Sequence, residues 1–322
     1  MSQASPRAES HRSAWSSFRI GRVSGIEIRV HWTFFFLVAL FVLAGTQPGT
    51  RGVPGLLAWL VLIFGCVVVH ELAHCVVGRA RGAVVHEIVL LPIGGVSKLE
   101  HLPENPSDEL AMAIAGPAAS VALAVLAGLV AWLLRVPLLP IDFVGGSFLA
   151  GLFWFNLIVA GFNLLPAFPL DGGRVLRAIL ERTHDLERAT RLAARIGRGV
   201  AVALVVVGVF VDWWLAIIGV FVYFGAAAEE AATTIHLRLL GWRVADAMVV
   251  DPATARALVE HGSPVVAAAD ALEDDIPLVV HAPSHALAVS DGGRIVGVLR
   301  LEEIERLLAG GTGSAPEGTT PE

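Results

Sequence analysis

Leu62-Ile63-Phe64-Gly65-Cys66-Val67-Val68-Val69-His70-Glu71-Leu72-Ala73-His74-Cys75-Val76-Val77 is an apolar run broken by His70, Glu71 and His74. The break is the pattern H-E-x-x-H. On a helix, residues four apart share a face, so both imidazoles can reach one metal ion. Neutral imidazole suits zinc. Glu71, next to the first imidazole, is placed to act as general base toward a water at the metal. An ionisable group deep in a bilayer costs about 2.5–3.5 kcal/mol on insertion scales. Three within five positions therefore predict a bound zinc that offsets the cost, rather than a polar patch satisfied by neighbouring helices. Cys66 and Cys75 lack the close pairing of cysteine zinc sites and read as small buried residues.

A catalytic zinc usually takes three protein ligands and keeps one position open. The pentad supplies two. Asp171, in Asn163-Leu164-Leu165-Pro166-Ala167-Phe168-Pro169-Leu170-Asp171-Gly172-Gly173-Arg174, is the candidate third. The other reading of Asp171 is an N-cap for a helix beginning at Gly172. Its expected depth, matching that of the pentad, favours ligation.

Composition agrees with a membrane setting. The chain is 55% hydrophobic and 16% charged, with mean hydropathy +0.71. Soluble domains average about 45–50% apolar and 25% charged. A net charge of -6 offers no basic surface to nucleic acid. Six stretches are candidate spans of the roughly 20 residues a bilayer needs: 30–44, 56–77, 110–134, 148–165, 200–211 and 213–228, the last two turning around Asp212. Arginines crowd alternate loops, among them Arg79, Arg81, Arg182, Arg188, Arg191 and Arg195. That asymmetry predicts a multi-pass protein of the cell membrane, among lipids, with both termini cytoplasmic.

Residues 1–16 read as a disordered polar tail. The apolar run that follows is too long for a signal-peptide core. Residues 83–108 alternate around Pro92, Gly94 and Gly95, as an interfacial β-hairpin would. Asn105 reads as an N-cap, with Asp108 and Glu109 in the first helical turn. The expected fold is an all-α polytopic membrane domain of six spans over 17–235, with that short hairpin. A small C-terminal α/β domain covers 240–309, and a disordered tail 310–322. In the small domain, alternation at 276–280, 286–289 and 295–299 predicts strands, Asp291-Gly292-Gly293 a hairpin turn, and 301–308 a helix.

H-E-x-x-H in one span and N-x-x-P-x-x-P-L-D-G-G-R in another resemble the site-2 protease family of intramembrane metalloproteases, over about residues 25–235. The resemblance implies that His70, His74 and Asp171 bind one zinc ion and that Glu71 is the base. Leu91-Pro92-Ile93-Gly94-Gly95-Val96 is similar to the family's strand-forming loop after the zinc helix, and Ala115-Gly116-Pro117 also has counterparts. Asn163 reads either as a hydrogen-bond donor to the substrate carbonyl or developing oxyanion, which the resemblance supports, or as an interhelical contact. His31 with Trp32 reads as an aromatic belt, His86 and His101 as solvated, Glu229 and Glu230 as the cytoplasmic exit of the sixth span. Arg174 and Arg177 read as obeying the positive-inside rule.

Residues 244–248 and 286–299 with the closing helix are similar to a CBS domain. Such modules work in pairs, so a single copy implies a homodimer through this domain; a regulatory adenine nucleotide is the further implication. The expected activity is zinc-dependent hydrolysis of a peptide bond in a single-span membrane protein, an anti-sigma factor by family resemblance, held as an added strand along Gly94-Gly95. The rival expectations are an intramembrane zinc transporter or channel, and an inactive scaffold of the same fold.

Overall fold

The computed structural model of the chain describes residues 17–92, 94–100 and 105–309. The two expected tails and His101 lie outside the described residues, as does the side chain of His86. The chain divides into two compact units, 1–229 and 230–322.

The first unit opens with a sheet. β1 (Ser17–Val23) and β2 (Ile26–His31) form an antiparallel hairpin. Its turn is Ser24-Gly25, with Gly25 at φ +80°, where a glycine is unstrained. Two helices follow, α1 (Phe34–Gly45) and α2 (Gly52–Ala80). The chain then returns as β3 (Val84–Leu91), parallel to β2, and β4 (Gly94–Glu100), antiparallel to β3. The strand order is β1-β2-β3-β4. The expected hairpin is therefore the far half of a four-stranded sheet. The first apolar stretch begins later than expected: Val30 and His31 finish β2, with Val30 opposite Leu90. In β2 the period-2 alternation turns Ile26 and Ile28 inward. They pack with Val85, Ile88 and Leu90 against Cys75 and Leu72 of α2.

α3 (Pro106–Leu133) starts at Asn105, whose side chain accepts from Ser107 N. Its buried stripe is Glu109, Met112, Ala113, Gly116, Pro117, Ser120, Ala124, Ala127 and Ala131. Small residues at helical spacing let neighbouring helices approach closely. Against α3 pack α2, α4 (Phe148–Asn163) and α5 (Asp171–Leu180). α6 (Leu186–Val211) and α7 (Trp213–Leu239) meet at Asp212.

Among the described residues, four helices are long and apolar enough to cross a membrane: α2, α3, α6 and α7. The stretches expected as first and fourth spans are the shorter apolar helices α1 and α4. At 12 and 16 residues they reach about 18 and 24 Å, short of a hydrocarbon core of about 30 Å. In each of the four long helices, at most 33% of the most apolar window is covered by protein. Val61, Trp132, Phe210 and Phe224 are exposed, which suits lipid as the surrounding solvent.

The second unit holds α8 (Val244–Ala247), α9 (Pro252–Glu260), β5 (Val265–Ala267), α10 (Leu272–His281), β6 (Ala286–Asp291), β7 (Arg294–Arg300) and α11 (Leu301–Leu308). β5 is parallel and β7 antiparallel to β6. The Gly292-Gly293 turn lies where expected, with both residues at positive φ. Residues 276–280, expected as a strand, belong to helix α10. Leu272, Asp275 and Val279 form its buried face, a helical spacing that outweighs the local alternation.

Candidate metal centre

α2 carries the pentad near its C-terminal end and is packed on one side by the sheet and on another by α3. His70 is 5% exposed and His74 9%. Their Nε2 atoms lie 3.2 Å apart. Asp171 Oδ2 lies 3.3 Å from each. It is buried with no hydrogen-bond partner. Helix α5 begins at Asp171 itself, with Leu170 as its N-cap and no side-chain cap bond. The capping alternative therefore fails, and the carboxylate faces the imidazoles instead. Asp171 is held there by a tight approach to α5: a Cβ at Gly172 would stand 2.2 Å from the Leu165 carbonyl oxygen.

Each imidazole is oriented from its far side by α3. His74 Nδ1 donates to the Met112 carbonyl at 2.7 Å, and His70 Nδ1 lies 2.9 Å from Ser120 Oγ. A carbonyl can only accept, so the His74 proton sits on Nδ1 and its Nε2 lone pair is free to bind a metal. Between these two supports lies Gly116. A Cβ there would stand 2.0 Å from His74 Nε2 and 2.7 Å from His70 Nε2. Only glycine leaves the ligand atoms their space. Two nitrogens and one carboxylate oxygen, all within 4.8 Å of one another, match the donor set of a three-ligand zinc site with one open position. The residues fit the ion.

Glu71 points toward the start of β4. A Cβ at Gly95 would stand 2.6 Å from Glu71 Cγ and 3.1 Å from Oε1. Gly94 is at φ +142°, a conformation side chains disfavour. Asn163 Nδ2 donates to the Val159 carbonyl at 3.1 Å, so one of its two N–H groups is turned along its own helix. The four residues of the metal reading and Gly95 thus come together.

Sequence reasoning missed three supports. Ser120 and the Met112 carbonyl carry no motif, although Ser120 lies on one helical stripe with Glu109, Met112 and Gly116. Arg177 reads from sequence as obeying the positive-inside rule. It is 5% exposed and lies against Glu109, itself 5% exposed. Arg177 Nε donates to Glu109 Oε1 at 3.0 Å, Nη2 donates to the same oxygen, and Nη1 donates to Glu229 Oε1 at 3.2 Å. Glu229 accordingly pairs with an arginine and is more than an exit marker. Burial disfavours the guanidinium charge, but Glu109 together with Glu229 and Glu181 more than restores it, so Arg177 lies above its ordinary pKa. Removing one partner of such a buried pair costs about 3–5 kcal/mol.

Comparisons with known proteins agree with this geometry. The family model for Peptidase family M50 matches residues 58–139 and 142–207, which include His70, Glu71, His74 and Asp171. Rip3 of Mycobacterium tuberculosis is 37% identical over 88% of this chain and 74% of its own length. Zinc metalloprotease MJ0392 of Methanocaldococcus jannaschii is 33% identical over 73% of this chain and 67% of its own. The solved structure of the site-2 protease from Methanocaldococcus jannaschii superposes with a TM-score of 0.51 at 34% identity, covering 66% of this chain and 95% of that one. The chain therefore belongs to peptidase family M50, the site-2 proteases, and is a multi-pass membrane zinc metalloprotease.

Proposed function

We propose that the enzyme cleaves a peptide bond within the membrane segment of a single-span, membrane-anchored regulatory protein. His70, His74 and Asp171 hold the zinc and Glu71 is the general base. The observation that carries this reading is the meeting of three ligand atoms at the buried flank of a membrane-length helix. A zinc ion held by His70, His74 and Asp171 would supply Lewis acidity to the scissile carbonyl and to the attacking water. Glu71 takes the proton of the attacking water and passes it to the leaving amine. α3 holds the His74 imidazole in the metal-binding tautomer through the Met112 carbonyl and orients His70 through Ser120, and the apolar helix faces keep bulk water out.

A substrate helix hides its backbone, so it must unwind to be cut. β4 is an edge strand, and its Gly94-Gly95 start runs beside Glu71. A segment added there as a strand would present its carbonyls to the site. Asn163 Nδ2 has a second N–H beside the one bonded to Val159, and that N–H would serve the oxyanion. An anti-sigma factor fits the substrate class by family resemblance. The arginine distribution supports a cell-membrane protein with cytoplasmic termini, bounded as 17–235 and 240–309. The second unit's β-strands and closing helix support a CBS-like module, and a homodimer through it and an adenine nucleotide are what that resemblance implies. A transit path for zinc would need a series of sites; among the described residues one cluster can hold a metal.

The test is co-expression with tagged single-span membrane proteins. Cleavage by the wild-type chain, lost in Glu71→Gln while its zinc is retained, is expected. A general base contributes about 10²- to 10⁴-fold. Cleavage undiminished in Glu71→Gln would overturn the assignment.

A further inference from the structure

One stripe of α3 meets the metal centre rung by rung. Ser120 supports His70. Met112, eight residues earlier, supports His74. Gly116, midway, leaves room for both Nε2 atoms. One further rung down, Glu109 binds Arg177. Arg177 belongs to α5, the helix whose first residue is Asp171. Helix α5 has only ten residues, too few to be stable by its own hydrogen bonds, so packing must fix where it sits. Its buried face is Gly172, Gly173, Arg177 and Ala178, and Arg177 supplies the charged contact on it. The guanidinium also lies 5.4 Å over the Phe168 ring, in the loop just before Asp171. Glu181 stands 3.7 Å from Arg177 Nε on the same helix, and Glu229 reaches it from α7.

We infer that Arg177 is a positioning residue that fixes the third ligand, Asp171, to the same face of α3 that orients the two imidazoles. This rests on the reading of His70, His74 and Asp171 as ligands. The side chain does not touch the metal centre; it sets the distance between α5 and α3. Its position six residues from Asp171 places it about 9 Å along the helix axis. Loss of the tie lets the carboxylate drift while leaving the His70–His74 pair in place, because Ser120 and Met112 act independently of Arg177.

The test uses the full chain purified in detergent, with zinc affinity measured by chelator competition and the visible spectrum of the Co²⁺-substituted protein. Arg177→Met should weaken zinc binding by about 10- to 100-fold, the usual effect of losing a group that orients a ligand. It should also shift the Co²⁺ bands, and Arg177→Lys should recover part of the affinity. In an Asp171→Ala background the same Arg177→Met change should add no further loss, since its effect passes through the missing carboxylate. Glu109→Gln, which leaves Glu181 and Glu229 to compensate the guanidinium, carries the test if Arg177→Met does not fold. Wild-type affinity in folded Arg177→Met or Glu109→Gln, or an undiminished Arg177 effect without Asp171, would overturn the inference alone. Wild-type affinity in Asp171→Ala would overturn the ligand reading and the inference with it.

Discussion

His74 Nδ1 lies 2.7 Å from the main-chain carbonyl of Met112. A side chain cannot be mutated away from that bond, so the backbone of α3 itself fixes the tautomer of one proposed metal ligand. The other supports around the centre are side chains or absent side chains, and each yields a separate expectation.

Gly116→Ala places a methyl 2.0 Å from His74 Nε2, a distance no adjustment of the ring can absorb while both nitrogens face one ion. The expected outcome is a folded protein with substoichiometric zinc and no cleavage. Gly65→Ala on α2 is the control. It meets nothing within 4 Å, and alanine favours a helix by about 0.8–1.0 kcal/mol over glycine. Metal content by elemental analysis and melting temperature separate the two.

Ser120→Ala removes the partner of His70 Nδ1. Zinc affinity should fall by about 10- to 100-fold, with cleavage restored at saturating zinc. Titration of activity against buffered zinc checks this. A fall in cleavage that excess zinc does not repair would count against an orienting role.

Gly95→Ala forces β4 away from Glu71, because its methyl would stand 2.6 Å from Cγ. Zinc content should stay at wild type. Cleavage should fall by about 10²-fold, as expected when a reacting group is displaced by about 1 Å. Steady-state rates on a tagged substrate, beside metal analysis, distinguish this from loss of the ion.

Arg51 lies at the opposite end of α2, about 28 Å from His70 along the helix. It donates to the Gly146 and Phe143 carbonyls and covers the Trp59 and Phe148 rings. Arg51→Ala should lower stability by about 1.5–3 kcal/mol, read as an earlier thermal transition in detergent. Zinc affinity of the folded fraction should not change.

The candidate metal ligands were legible in the sequence because their residue types are costly in an apolar run, so their presence needed a cause. Asp171 was legible as a candidate but its capping alternative was not excluded until the helix proved to start on it. The sheet was only half legible. Ile26, Ile28 and Val30 alternate with Glu27, Arg29 and His31, yet they abut the apolar run of α1, and Val30 and His31 were counted in the first span. Residues 276–280 misled for the opposite reason: a five-residue alternation resembles a strand, and Pro277 hides the helical spacing of Leu272, Asp275 and Val279. Arg177 and Glu109 could not be paired from sequence. They lie 68 residues apart, and each has an ordinary explanation, one as a positive-inside arginine and the other as an acidic first-turn residue.

Zinc K-edge X-ray absorption on the purified full-length chain tests the metal centre most directly. Two imidazole nitrogens and light-atom oxygen neighbours at about 2.0–2.2 Å are expected, with one imidazole lost in His74→Ala and the spectrum altered in Asp171→Ala. A sulfur neighbour at about 2.3 Å, from Cys66 or Cys75, or a spectrum indifferent to Asp171→Ala, would contradict it.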